Sequence, residues 1–213
     1  MDFRMKSRNL KSVVLILYGL ILVFSCIHPI YPREMYLQHS ATLLMGIFLV
    51  YVTINNNLSN KAFVLIFLFM ILHMIGARWI YSYTPYDDWI RKLTGFSVNR
   101  CFNWQRNQYD RFIHLMFGFL LLIPASEVYH KWLGVPAKQS DHIAFLFILA
   151  GSLFYEVFEW VLSLALSPEQ ADAYNGQQGD FWDAQKDMAL AMLGAIVMIL
   201  ARRIKACRRF SHT

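Results

Sequence analysis

Residues 142–166 read HIAFLFILAGSLFYEVFEWVLSLAL. An apolar run of this length can cross a bilayer, whose hydrocarbon core takes about 20 helical residues. Inside it lie Glu156 and Glu159, three residues apart and on one face of a helix. A carboxylate at membrane depth is costly, so it is expected to pair, to line a water-filled cavity or to serve a site. The reading of this one stretch is a membrane span with a buried polar purpose.

The rest of the chain agrees. Of its 213 residues 57% are hydrophobic and 16% charged, against roughly 45–50% and 25% in a soluble domain. Apolar runs predict spans at about 13–30, 38–54, 62–80, 111–128, 142–166 and 183–201. The fourth is the least clean, because Pro124 and Glu127 shorten its apolar core. Six such helices use most of the chain, so the fold class is all-α, a polytopic membrane bundle forming one integral domain over residues 1–213, with no separate soluble domain.

Cytoplasmic segments carry the excess of Lys and Arg. Arg4, Lys6, Arg8 and Lys11 precede the first run, and Arg202, Arg203, Lys205, Arg208 and Arg209 follow the last. Both termini are therefore expected in the cytoplasm, which demands an even number of spans. One loop conflicts: Arg91, Lys92, Arg100 and Arg106 lie in the outer loop 81–110. The net charge of +6 reflects these anchors, which contact anionic lipid, so membrane lipids are the expected partners and nucleic acid is not. Cys26, Cys101 and Cys207 fall in different compartments, leaving no intrachain disulfide framework. Val23-Phe24-Ser25-Cys26 has the outline of a lipoprotein cleavage box, but Phe24 is wrong for one and the later spans favour an uncleaved first helix.

In the loop 81–110, Asp87 and Asp88 are placed to cap a short helix whose face is Trp89, Ile90, Leu93 and Phe96. That pattern fits a helix lying in the interface, as an aromatic anchor or, more sharply, as a lid over a pocket.

Mapped onto the spans, the polar residues gather toward the outer end. His73 and Arg78 lie in the outer half of the third span, and Asp110, Arg111 and His114 open the fourth. Glu156 and Glu159 lie in the outer half of the fifth, and Asp180, Asp183 and Asp187 open the sixth at i, i+3, i+7. An acid at a helix N-terminus is favoured by the dipole, which suits Asp110, Asp180 and Asp183. Glu156 and Glu159, some 20 Å along their helix at 1.5 Å per residue, need partners or protons, with Arg78 and Arg111 nearest in depth. One shared cavity is the economical arrangement.

Four uses of such a cavity compete. A paired structural network is one. A divalent metal site is a second, with His73, His114, Glu159 and Asp183 as candidate ligands, since carboxylates with imidazole suit zinc, manganese or iron. A pair of E-x-x-H motifs and the H-E-x-x-H motif are both absent. A metal-assisted hydrolase or transferase acting on a lipid-linked or periplasmic substrate is a third. There Glu156, Glu159, Asp183 and Asp187 would be catalytic, and Arg78, Asp110, Arg111, His114 and Asp180 would bind the ligand. A small-solute or proton-coupled transporter is the fourth, though no internal repeat is visible. Gly118, Gly151 and Gly194 permit close helix contacts. Substrate, cofactor and oligomeric state are left open by the residues.

Several segments carry a resemblance: HMIGARWIYSYTPYDDW from His73, NQYDRFIHLMFGFLL from Asn107, ASEVYH from Ala125, YEVFEW from Tyr155 and GQQGDFWDAQKDM from Gly176. Together they resemble the YjdF-type family of small bacterial inner-membrane proteins, over nearly the whole chain. The resemblance implies an inner-membrane location and supplies no reaction.

Overall fold

Helix α1, Asp2–Ser25, begins well before the first apolar run and stops inside it. The chain turns at His28, whose φ is 48°, and Pro29, which lacks an N–H, cannot continue the helix. The expected 13–30 is thus too long at its outer end. The structure, a computed structural model, describes residues 2–210, all helix and connections with no strand among them.

Helix α2, Pro32–Asn55, starts on proline, whose missing N–H costs nothing in the first turn. Helix α3, Asn60–Arg78, is capped by Ser59, whose Oγ accepts from Ala62 N at 3.2 Å. The outer loop holds α4, Tyr86–Thr94, and α5, Val98–Cys101. Helix α6, Tyr109–Leu133, runs straight through Pro124, which is buried, and ends on Gly134 at φ 68°. The helix runs beyond the apolar span expected to end at 128: membrane helices tolerate proline where neighbours cover the freed carbonyl, and Glu127 is held by Ser59 and Lys131. Helix α7, Ala137–Ala165, is followed by a short helix that hydropathy did not reveal, α8, Pro168–Asn175, opened by a Ser167–Gln170 capping box. Helix α9, Asp183–Phe210, closes the chain.

Five of these, α1, α2, α3, α6 and α7, are long and apolar enough to cross a membrane. Helix α9 carries charge at both ends and keeps an apolar middle of residues 188–201, roughly 21 Å at 1.5 Å per residue. It nevertheless packs along α6, its most extensive partner, and against α7. The molecule is a polytopic membrane bundle of about six transmembrane helices. Its perimeter is apolar, with Leu44, Ile47, Phe154 and Leu164 each about 70% exposed, as lipid-facing side chains are.

The helices α6 and α9 run parallel, and their backbones nearly touch. A Cβ on Gly118 would meet the Ala191 carbonyl oxygen, and one on Gly194 would meet the Leu115 carbonyl oxygen. Glycine is needed at both positions for this approach.

Both described chain ends lie at one end of the bundle. There Lys11, fully buried, donates to Asn56 Oδ1 at 2.6 Å and to Leu58 O at 2.5 Å. Ser59 N donates to Glu127 Oε1 at 2.5 Å, and Arg202 Nη1 pairs with Asp141 Oδ1 at 2.5 Å. The candidate site occupies the opposite end.

In the outer loop, Asp87 and Asp88 sit in the first turn of α4 without capping it. Asp87 instead accepts from Ser97 Oγ at 2.8 Å and Asn99 N at 3.0 Å, tying α5 to α4. These bonds hold the Asp87 carboxyl below its ordinary range, the Asn99 amide foremost. Of the basic residues that conflicted with the charge rule, Arg91 pairs with Asp88 at 2.7 Å and Arg106 is absorbed into the site end.

Candidate functional site

The first turns of α6 and α9 meet because Gly118 and Gly194 let those helices approach about two turns deeper. Asp110 and His114 of α6 and Asp187 of α9 each bring a ligand atom within 4.8 Å of the other two. All three are buried. From α7, Glu156 joins them, its Oε1 3.4 Å from His114 Nε2, while Asp110 Oδ1 stands 3.9 Å from the same nitrogen. Glu156 Oε1 and Asp187 Oδ1 are buried oxygens without a hydrogen bond. A buried polar atom without a hydrogen bond costs about 1–3 kcal/mol, more when charged. Such atoms mark a strain reservoir, a catalytic role or a ligand.

Beside the cluster is a cavity of about 190 Å³, lined by His73, Tyr81, Asp110, His114, Ser152 and Tyr155 among others. Ser152 Oγ is a further buried atom without a hydrogen bond. Tyr81 donates to His73 Nδ1 at 2.5 Å, leaving His73 Nε2–H to donate to the Gln38 carbonyl at 3.2 Å. Burial raises the Tyr81 hydroxyl well above its ordinary range, which keeps it a donor. Tyr155 reaches Gln38 Oε1 at 3.4 Å. Glu159, one turn further along α7, is buried beside Tyr155 and Tyr174.

The mouth is closed by the connection from α8 to α9. Gly176, at φ 68°, lies against Asp110, where a Cβ would stand 3.4 Å from Oδ2. Arg106 clamps this connection, donating to Gln177 O and Gly176 O at 3.1 Å each and to Asp183 Oδ1 at 2.5 Å. Arg111 pairs with Asp180 and, at 3.2 Å, with Asp183. Lys186 meets Asp180 at 2.6 Å and, as the leading cause, drives the Asp180 carboxyl well below its ordinary range.

The structure places several of the expected residues apart from this cluster. Among the described residues, the grouping with metal-ligand geometry is Asp110, His114 and Asp187; of the expected His73, His114, Glu159 and Asp183, it includes His114. Both nitrogens of His73 are already engaged, Asp183 is taken by two arginines, and Glu159 lies a turn away. Arg78 is no anion clamp in the pocket. It donates to the Phe24, Ser25 and Ile27 carbonyls at the frayed end of α1 and stacks on Phe24 and Trp79. Arg111 pairs with aspartates rather than with Glu156 or Glu159. Asp180 is saturated by Arg111, Lys186 and Trp182 N, so it acts as a clamp. Sequence reasoning overlooked Arg106, Gln38, Ser152, Tyr81 and Tyr155. Arg106 stood out only as a misplaced charge, and the others had no signal beyond depth.

The chain matches the model of a family described as predicted membrane protein DUF2238 over residues 10–206. It belongs to that family. A curated relative, inner membrane protein YjdF of Escherichia coli (strain K12), is 35% identical over 159 residues, covering 72% of this chain and 71% of that protein. No solved structure matches. With these likenesses and its apolar helices, the chain is a multi-pass inner-membrane protein.

Proposed function

We propose that the cluster at the site end is a divalent-cation site facing the periplasm, and that the protein is a metal-assisted hydrolase or transferase. The observation that carries this is the convergence of Asp110, His114 and Asp187 within 4.8 Å, with Asp187 Oδ1 and Glu156 Oε1 left without hydrogen bonds. Donors bound at about 2.0–2.2 Å stand no more than about 4.4 Å apart, so small side-chain rotations close the set. Two carboxylates with one imidazole suit zinc, manganese or iron(II). A cation would supply Lewis acidity to a substrate oxygen in the adjoining cavity. Glu156, beside His114, is placed to take a proton, and Ser152 and Tyr155 are placed to orient a polar group.

A purely structural network is less favoured, since it would leave no oxygen unsatisfied. A transport path is less favoured too: beyond Gly118 the bundle is apolar core, including Leu121, Leu122, Ile148 and Met198, with the α6 and α9 backbones in contact. The periplasmic assignment rests on the basic residues flanking α1 and α9 at the other end.

The test is metal analysis of protein purified after growth with zinc, manganese and iron in turn. About one equivalent of one metal is expected, lost in His114→Gln and Asp187→Asn while both variants stay folded. At 100 times Kd, a bound ion adds about 2.7 kcal/mol of stability. Wild-type protein that neither retains a metal nor melts later in its presence would refute the reading.

A further inference from the structure

At the end of the bundle opposite the metal cluster, the start of α7 and the last turns of α9 enclose a pocket of about 430 Å³. Lys138, Asp141 and His142 line it from α7, and Ile199, Arg202 and Arg203 from α9. Its size falls in the roughly 300–1,000 Å³ range of ligand sites. Asp141 is engaged within the fold: its Oδ1 accepts from Arg202 Nη1 at 2.5 Å and from Ser126 Oγ at 2.6 Å, a joint between α6, α7 and α9. That leaves Lys138 and Arg203, both exposed, with no carboxylate partner among the described residues.

No other group at this end offsets them. Among the described side chains there, the carboxylates are Asp141 and Glu127, and Glu127 is paired with Lys131 at 2.8 Å. The remaining charged side chains, Lys11, Lys61 and Lys205 among them, are cations. The backbone adds to the excess. Helix α7 begins on Pro136 with no side-chain cap and no acid in its first turn, so the positive end of a 29-residue helix is left unneutralised at the pocket. The pocket also sits where the apolar perimeter ends. Leu146, one turn beyond His142 on α7, is 61% exposed, and Leu200, one turn before Arg203 on α9, is 51% exposed. A phosphate between Lys138 and Arg203 would have two apolar tracks leading from it into the bilayer. Basic pockets between membrane helices on the cytoplasmic side suit anionic lipid headgroups.

We propose that this pocket is a discrete site for one anionic phospholipid of the cytoplasmic leaflet, its phosphate held by Lys138, Arg203 and the first turn of α7. It differs from the diffuse attraction of a basic tail to an anionic surface, because the Arg202–Asp141–Ser126 joint fixes the last turns of α9 beside α7. Occupied, the site fastens those turns more firmly. It stands whether or not a metal binds at the other end.

The experiment uses the full chain, delipidated in detergent and titrated with phosphatidylglycerol or with phosphatidylcholine of the same chains, bound lipid being counted by native mass spectrometry. Lys138→Gln and Arg203→Gln each remove an exposed cation of the pocket, and Lys205→Gln removes the same charge from a position outside it. Wild type is expected to bind one phosphatidylglycerol in preference to phosphatidylcholine. Its affinity should fall about fivefold in each pocket variant, as expected for one cation beside an anionic headgroup, and stay within about twofold of wild type in Lys205→Gln. Equal losses in all three variants, or equal binding of the two lipids, would mean diffuse or annular lipid and would overturn the proposal. Displacement of the lipid by an equal concentration of inorganic phosphate would do the same, because a free anion would then fill the site. Acetylation gives a readout on the unaltered chain. Phosphatidylglycerol should protect the Lys138 amine from acetic anhydride and leave Lys205 reactive, read by peptide mass. Lys138 acetylated equally with and without the lipid would overturn the proposal.

Discussion

Replacing Gly194 with alanine tests the link between helix packing and the site. The new Cβ would run into the Leu115 carbonyl oxygen and stand 2.8 Å from Phe119 N, more than half an ångström inside ordinary contact. Both obstacles are backbone, so no side chain can swing aside, and α9 must move away from α6. Overpacking of this kind costs about 1–3 kcal/mol. The effect on the cluster should be larger in proportion. Asp187 lies seven residues before Gly194 on the same helix, and a metal site tolerates only about ±0.2 Å in its ligand distances. A shift of about half an ångström is more than twice that tolerance.

The expected result is therefore a moderate loss of unfolding free energy in detergent with a disproportionate loss of metal affinity. Gly118→Ala, which would meet Ala191 and Ala195 across the same seam, should do likewise. The double variant should cost less than the sum, because one separation relieves both clashes. Gly19→Ala on α1, with nothing within 4 Å of its Cβ, should be neutral or gain up to about 1 kcal/mol from helix propensity. If Gly194→Ala melts like wild type and binds metal as well, the backbone contact between α6 and α9 does not position the cluster.

Removing Arg106 strands Asp183, whose side chain is 4% exposed, and should cost up to about 3–5 kcal/mol, less what Arg111 recovers. Arg91→Ala, in a pair more than half exposed, should cost less than about 1 kcal/mol by the same unfolding assay. Asp187→Asn should keep or raise the melting temperature while abolishing metal binding, because it removes a buried charge whose Oδ1 lacks a hydrogen bond; a drop in both would favour a structural role. Because the Asp180 pKa is depressed by Lys186, its contribution is present above the unfolded carboxylate value of about 3.9 and is lost only as pH falls through the lower folded value. Proteolysis at Gln177–Asp180 should therefore stay constant from pH 7 to 5 and rise only well below 4. Reporter fusions at Asn103 and Asn175 should read periplasmic and a fusion at Thr213 cytoplasmic; a periplasmic Thr213 would remove the six-span topology.

The parts of this molecule that could be read from the chain depend on depth. A hydropathy run sets where a helix sits in the bilayer, and a residue's place in the run sets its level. That is why Asp110, His114, Glu156 and Asp187 could be assigned to one layer from order alone. Which members of the layer touch depends on helix rotation and neighbour choice, and one sequence carries neither. Arg78 and Arg111 lie at a similar level to Glu156, yet one turns to the α1 carbonyls and the other to the α8–α9 connection. Boundaries failed for a related reason. Pro124 stays inside α6 and α1 unwinds before its apolar run ends, because neighbouring helices and a local Pro29 outweigh hydropathy.

Arg106 shows the limit most clearly. Counted along the chain, it was evidence against an outer loop, since the rule for basic residues scores each cation as if free. In the fold its partner Asp183 is 77 residues away, and the pair closes the mouth of the cluster. A cation held by a buried carboxylate brings little net charge to its segment, so it should weigh less in setting topology than an unpaired one. The conflict in that loop was thus a trace of the site. A basic residue that breaks the charge rule, in a chain with acids to spare at the same depth, is a candidate for the site's own counter-ion.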